Sequence, residues 1–439
     1  MVKLRIRPCR SQRQRWANRH PKCFVLQYHN LFTLDFNLFI WPLSSKGKRI
    51  LILGAGFGGL ATANLLHKYL SSSTVEHQIS IIDQKDYFRM GLVNLWILSG
   101  IRTLENSKVA LKKLEKRGIR FLNEEVTAID VASKTVTVGK SPDLKLDYDY
   151  LVVALGVEFA LEQVKGFVEN KGVNLYDADQ VPKLRENILS LQKGRIAICI
   201  TSIPYKCPPA PYEAALLIND LLAKNGTRDS IYIDIFTPTP LALPVAGARV
   251  SQDVVELLSK NRINFHPLHK IKTVLAKERI EFENGNKVNY DLLIGIPPHK
   301  IPAVIRNSGL IRQGQNWLNV DKFTLKTDYE NVFAIGDVNE IKVNENTFIP
   351  KAGIFAEAQA KVVSQLIIDD IENSTNKLSP RFDGKGFCFM EIGDKKAGYV
   401  DADFYNEQGP TTLFEAPSEE SYNKKIDFER SKLNEWLFS

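Results

Sequence analysis

The stretch Arg49-Ile-Leu-Ile-Leu-Gly54-Ala-Gly56-Phe57-Gly58-Gly59 decides the fold of this chain. Its first five residues are a continuous apolar run, as expected of a strand buried on both faces of a parallel sheet. Gly54, Gly56 and Gly59 follow at G-x-G-x-x-G spacing, and Leu60 to Tyr69 has the character of a helix. A second apolar strand, Gln78 to Ile82, ends at Asp83. Three glycines alone are a weak signal; strand, turn, helix, strand and terminal acid together specify a dinucleotide-binding unit. Gly54 permits the tight turn, Gly56 the close approach of a pyrophosphate and Gly59 helix packing, while Asp83 can accept ribose hydroxyls.

Working outward, Asp149-Tyr-Leu-Val-Val-Ala154-Leu-Gly156 reads as a third strand ending in a small-residue turn. A second strand-turn-helix unit begins at Arg195 to Thr201, with strands at Ile231 to Phe236 and Leu292 to Ile296 and a helix near Ser251 to Lys260. This half departs from the first at two points. Its strand Ile231 to Phe236 runs into Thr237-Pro238 without a terminal acid, and its loop reads Cys207-Pro-Pro-Ala-Pro-Tyr-Glu213 where glycines would stand. Pro204, Pro208, Pro209 and Pro211 remove N–H donors that a pyrophosphate needs, which argues against nicotinamide as the electron source. Asn331 to Asp337 returns to strand character, and Pro350-Lys351-Ala352-Gly353 opens a helix to about Asp370. Asn373 to Pro380 reads as a linker, Gly386 to Tyr405 as short strands and turns, and Tyr422 to Phe438 as a charged terminal helix.

The fold class is therefore α/β, with two Rossmann-like dinucleotide-binding domains and a small C-terminal region. The division expected is a leader at 1–47, a discontinuous first domain at 48–165 and 300–375, a second at 166–299 without an NAD fingerprint, and a C-terminal cap at 380–439. The 439 residues, 44% of them hydrophobic, suffice for two or three cores. The formal charge is +8, but Lys3 to Lys48 carries ten basic residues against Asp35, so the remainder is close to neutral. A nucleic-acid partner would rest on that extension alone, and none is expected. The extension reads as a leader, with a targeting segment or a surface anchor as alternatives. The apolar run Leu31 to Leu43 contains Asp35 and Pro42 and falls short of the ~20 residues that a bilayer requires. Five cysteines are too few for a secreted disulfide scaffold, so a cysteine pair is better read as redox-active. No Cys-x-x-Cys occurs and the seven histidines are scattered, so no metal centre is expected.

This constellation resembles the two-dinucleotide-fold flavoproteins, and within them the sulfide:quinone oxidoreductases and the flavoprotein subunit of flavocytochrome c sulfide dehydrogenase. The resemblance rests on Gly54 to Gly59 with Asp83, the strand Asp149 to Gly156, the loop Cys207 to Glu213, Asp291 to His299, Gly336-Asp337, Pro350-Lys351 and Cys388-Phe-Met-Glu-Ile-Gly393. It implies FAD extended along the first domain, with Asp337 near its ribityl side and Cys207 and Cys388 converging on one face of its ring. It also implies a sulfide or small-thiol substrate, a quinone acceptor and a peripheral membrane or cytoplasmic location. The cysteine that binds FAD covalently in the flavocytochrome subunit is replaced in this region by Met90, so FAD is expected to be noncovalent. The third active-site cysteine of some quinone reductases has no counterpart in Leu175-Tyr176-Asp177-Ala178.

Within that resemblance, hydrosulfide would attack a Cys207–Cys388 disulfide, leaving a persulfide and a thiolate, and two electrons would pass to the flavin. Cys207 precedes a helix start, which favours a thiolate. Glu213 in the first turn is either an acid–base group or a carboxylate matched to the helix dipole. Lys351 is either a cation at the flavin or a surface lysine. Cys199 lies mid-strand and is expected in the core, and His266, His269 and His299 are read as loop residues. Phe355, Phe387 and Phe389 are candidates for a quinone pocket or ordinary packing, and the apolar residues from Ile426 to Phe438 for an interfacial anchor or ordinary packing. Alternative functions are a sulfide dehydrogenase with a cytochrome c acceptor, an NADH:quinone reductase, or a flavin-holding redox sensor. Oligomeric state is not legible in the sequence.

Overall fold

The computed structural model describes residues 47–139, 144–345, 347–374 and 379–438. The expectations for the leader, and for part of the linker after Asn373, fall on residues outside these. Two five-stranded parallel sheets organise the chain. The first has the order Val332–Ala334, Tyr150–Val153, Arg49–Leu53, Gln78–Ile82, Arg120–Leu122. Its central strand is buried from Ile50 to Leu53, which is why Ile-Leu-Ile-Leu shows no alternation. Helices cover it, and the glycine-turn helix Phe57–Leu70 packs along the long helix Gly353–Ile371.

The second sheet has the order Val173–Asn174, Leu292–Ile296, Gly194–Ile200, Ile231–Phe236, Ile263–His266, again all parallel. Cys199 is fully buried on its central strand, in register with Phe236 and Gly295, as its apolar neighbours predict. The helix Ala210–Lys224 follows that strand. Pro209 caps it and Pro211 lies in its first turn, where a missing N–H costs nothing. Pro350 does not take the corresponding place in the later helix, which begins at Gly353 with Ala352 as its cap.

The C-terminal region has the strands and turn expected from Gly386 to Tyr405, in longer form, and a third strand beyond them. Lys385–Gly393, Lys396–Asp403 and Thr411–Ser418 form a three-stranded antiparallel sheet with Cys388 opposite Val400. A tight turn at Asp394-Lys395, both at positive φ, reverses the chain. The sheet packs against the helix Ala210–Lys224, which lets a strand so late in sequence reach the proline loop. The last helix, Glu419–Leu433, starts where Ser418 Oγ accepts the Ser421 N–H at 3.1 Å. A wider turn at Asn434–Phe438 then buries Trp436 and Leu437. Trp436 meets Phe57 and Phe88 edge-on, and Phe428 stacks over Phe57. Of the two readings of these apolar residues, packing accounts for most of them, and only Phe438 among the aromatic ones is exposed. No helix among the described residues is long and apolar enough to cross a membrane.

Candidate active site

One cavity of about 340 Å³ lies where the glycine turn, the proline loop and the C-terminal sheet meet. Its floor comes from the first sheet. Gly54, at φ +99°, passes so close to the next strand that a Cβ would stand 2.4 Å from the Ala154 carbonyl oxygen. At Gly59 a Cβ would come within 1.8 Å of the Gly54 oxygen, so only glycine lets the helix seat on the turn. Gly56 faces open space, and it precedes a helix start that has no side-chain cap. Gly56, Phe57, Gly58, Ala154, Gly156, Gly336 and Asp337 all line the cavity. Asp83 stands beside the turn and accepts the N–H groups of Ala55 at 2.8 Å and Lys85 at 2.9 Å.

These residues fit the flavin dinucleotide. An uncapped helix start beneath an open glycine suits a pyrophosphate. Arg89, which also lines the cavity, has a buried Nη1 with no hydrogen-bond partner among the described residues, a donor suited to an anion. Gly54, Gly56 and Gly59 would bring the backbone to the phosphates, Asp83 would hold the adenine ribose, and Asp337 would face the ribityl chain. When bound, FAD supplies a ring that takes up an electron pair from sulfur and gives it to an acceptor.

The cavity brings Cys207 and Cys388 together. Cys207 sits at φ +51°, an uncommon conformation for a residue with a Cβ, and its backbone is clamped on both sides. Its N–H donates to the Lys351 carbonyl at 2.7 Å, and its own carbonyl accepts the Ala210 N–H at 2.9 Å. Cys388 comes from the C-terminal strand, and both residues are free thiols. Burial pushes the Cys207 thiol up to about 12, with Glu213 adding to the effect, and burial raises Cys388 as well. The Ala210 N–H at the helix start lowers the thiol, as expected, but desolvation outweighs it. Cys388 also borders a second, wholly apolar pocket of about 40 Å³ beside Pro208, Pro209 and Phe355. Phe387 and Phe389 reach the main cavity with Phe428, while Phe355 lies on the second pocket.

Glu213 is buried and paired with Lys425 of the last helix, which also donates to Glu391 Oε2 at 2.9 Å. Glu391 accepts the Trp96 indole N–H at 2.8 Å as well. Burial raises Glu213 towards its protonated form, with repulsion from the Glu391 carboxylate adding to the effect, against the pull of Lys425. Lys425 itself stays charged: burial opposes the charge, but the two carboxylates outweigh it. Lys351 is buried rather than on the surface. It donates to the carbonyls of Asp337 at 2.7 Å and Asn339 at 2.9 Å, and lies 3.5 Å from the centre of the Trp317 ring. Burial lowers its ammonium to about 8.

Sequence reasoning missed Lys425, Glu391 and Lys206. Lys206 lines the cavity within 4.9 Å of the Phe159 ring centre and 5.6 Å of that of Tyr176. Adjacency to Cys207 could have flagged it. Lys425 carries no such signal, since it stands beside exposed Lys424 in a charged helix. His299 belongs to the wall behind the loop. Its Nε2 accepts the Lys206 N–H at 3.2 Å and its Nδ1 meets the Pro297 carbonyl at 2.8 Å. His266 and His269 instead cluster around Phe236 in the second sheet, His266 against Asp234 at 2.8 Å.

The chain is similar to known proteins over most of its length. A sulfide:quinone oxidoreductase of Dictyostelium discoideum mitochondria is 32% identical over 68% of this chain and 66% of its own length, so the chain spans about two thirds of that relative. The sulfide-quinone reductase of Aquifex aeolicus is 28% identical over 81% of this chain and 84% of its own. The crystal structure of the Aquifex aeolicus sulfide:quinone oxidoreductase superposes with a TM-score of 0.78 at 25% identity, covering 88% of this chain and 90% of that one. The family described as pyridine nucleotide-disulphide oxidoreductase matches residues 48–199 and 215–360, and the gap between these segments contains the cysteine-proline loop. With both segments of the match lying on the two parallel sheets, the chain belongs to the pyridine nucleotide-disulphide oxidoreductase family and, within it, resembles the sulfide:quinone oxidoreductases.

Proposed function

We propose that the protein is an FAD-dependent oxidoreductase that oxidises sulfide at the Cys207/Cys388 pair and delivers two electrons to a quinone. The observation that carries this reading is the meeting of two cysteines, distant in sequence, in the cavity that the glycine turn opens. Their chemistry is thiol–disulfide exchange. In the oxidised pair, hydrosulfide attacks one sulfur, the S–S bond breaks, and the products are one persulfide and one thiol sulfur, with Glu213 positioned to supply the proton. Lys351 places a cation beside Asp337 at the floor of the cavity, and the two prolines after Cys207 hold the loop where a nicotinamide dinucleotide would need open N–H donors.

The acceptor end of the reading rests on the aromatic wall of Phe387, Phe389 and Phe428, whose ring centres lie 5.6 to 6.3 Å apart and which suits a flat apolar ring such as a quinone. The protein would meet its quinone at a membrane surface as a peripheral protein. The test is anaerobic titration of the purified yellow protein with sulfide and, separately, with NADH, followed by a short-chain quinone. Bleaching by sulfide but not NADH, and recolouring by quinone, is the expected result. Bleaching by NADH alone would replace the reading with an NADH:quinone reductase.

A further inference from the structure

The two thiols stand against a buried trio of charges drawn from three separate elements. Glu213 comes from the helix Ala210–Lys224, Glu391 from the strand that carries Cys388, and Lys425 from the last helix. All three are buried, and Lys425 donates to both carboxylates. Glu213 and Lys425 line the same cavity as the cysteines. The Trp96 indole N–H occupies Glu391, and Lys425 Nζ lies 5.4 Å from the Trp96 ring centre, so the trio is held from a fourth element, the helix Val93–Ser99. One cation between two carboxylates leaves an excess negative charge. In a desolvated site that excess is relieved by one proton.

We infer that Lys425 is a positioning residue for sulfide oxidation: it holds Glu213 at the cysteine pair and stabilises the carboxylate that Glu213 becomes when it gives its proton to the departing sulfur. The inference rests on the functional reading above. Hydrosulfide forms an S–S bond to one cysteine, the Cys207–Cys388 bond breaks, and the electron pair stays on the other sulfur, which takes the Glu213 proton. The products are a persulfide, a thiol and a Glu213 carboxylate, and the negative charge brought in by hydrosulfide now rests on Glu213 beside Lys425. Thiols pushed up by burial are poor places to leave that charge, so the proton has a task here that it would lack at an exposed disulfide. The other groups around the trio are Cys207 and Lys206 on the proline loop, Cys388 on its strand and Tyr422 on the same helix as Lys425.

The test measures the rate of flavin bleaching by sulfide against pH in the FAD-loaded enzyme, for wild type, Lys425→Met, Lys425→Arg and Glu213→Gln. Lys425→Met should slow bleaching by about 10²-fold, the scale of a misplaced catalytic group, and move the alkaline fall of the profile to higher pH. Lys425→Arg should recover most of the rate, and Lys425→Met in a Glu213→Gln background should add little. Equal losses in the Met and Arg variants with an unmoved profile would reduce Lys425 to packing, and independent losses in the double variant would separate it from Glu213. Dithionite, which bypasses the cysteines, should bleach every variant alike. If Lys425→Met does not retain flavin, Glu391→Gln decides: it leaves the ammonium to Glu213 alone and should move the alkaline fall to lower pH, and an unmoved fall overturns the inference. A wild-type protein that sulfide does not bleach refutes the functional reading instead. In that case iodoacetamide labelling of the reduced thiols still bears on Lys425, because its loss should shift the onset of labelling to higher pH, and an unchanged onset overturns the inference.

Discussion

At the scale of single residues, Cys207 and Gly59 show two ways in which an identity becomes indispensable. Gly59 is fixed by space: the missing Cβ is what allows helix and turn to touch. Gly59→Ala should therefore cost at least about 1–3 kcal/mol, as overpacking does, and should lower flavin content, measured by absorbance per mole of purified protein. Normal flavin content in that variant would place the dinucleotide elsewhere. On the function proposed above, Cys207 is fixed by chemistry, since its positive φ would suit glycine or asparagine better. Cys207→Ser and Cys388→Ser should each abolish bleaching by sulfide and leave bound FAD in place, and bleaching that survives in either serine variant would refute the redox pair.

Among the elements, the last helix is the one whose role changed most between sequence and structure. Its apolar residues read equally as an anchor or as packing, and Trp436 and Phe428 turn out to close the aromatic cluster over Phe57 and Phe88. Trp436→Ala should cost about 3–5 kcal/mol, the usual loss for an emptied aromatic site, read as a lower urea midpoint. Truncation after Pro417 should remove Lys425 from its carboxylates as well, so flavin retention should fall along with stability. A truncated protein with full flavin content and an unchanged midpoint would show that the helix is dispensable to the site.

On the scale of the whole molecule, His299 in the wall behind the proline loop predicts a pH dependence. Burial pushes His299 down to about 3, and the backbone N–H of Lys206 occupies its Nε2. The unfolded chain binds a proton at this residue near its ordinary value of 6.5, whereas the folded chain does not until about 3. The unfolded state therefore holds more protons between these values, and stability declines as pH falls from 6.5 towards 3. His299→Gln keeps an acceptor for Lys206 but cannot titrate, so its thermal midpoint should fall less over that window. Parallel decline in wild type and variant would assign the acid sensitivity to other groups.

How much of this was legible in advance follows from the range of the interactions involved. The glycine turn, the buried strands around it and the loss of donors at the proline loop are local matters, written in neighbouring residues and in the conformations they allow, and the sequence by itself determined them. The strands on either side of Asp394-Lys395 were legible, but the third, Thr411–Ser418, escaped because a strand of mixed character is defined by its pairing with Lys396–Asp403 and not by its own residues. Sequence could name Cys207 and Cys388 only through family resemblance, since nothing near either residue specifies the other. The Glu213–Lys425–Glu391 trio could not be read at all, because Lys425 looks like any solvated lysine until a helix, a strand and a second helix enclose it. Only the tertiary structure decided that charge, because desolvation is a property of everything that surrounds a group and not of the residues beside it in the chain.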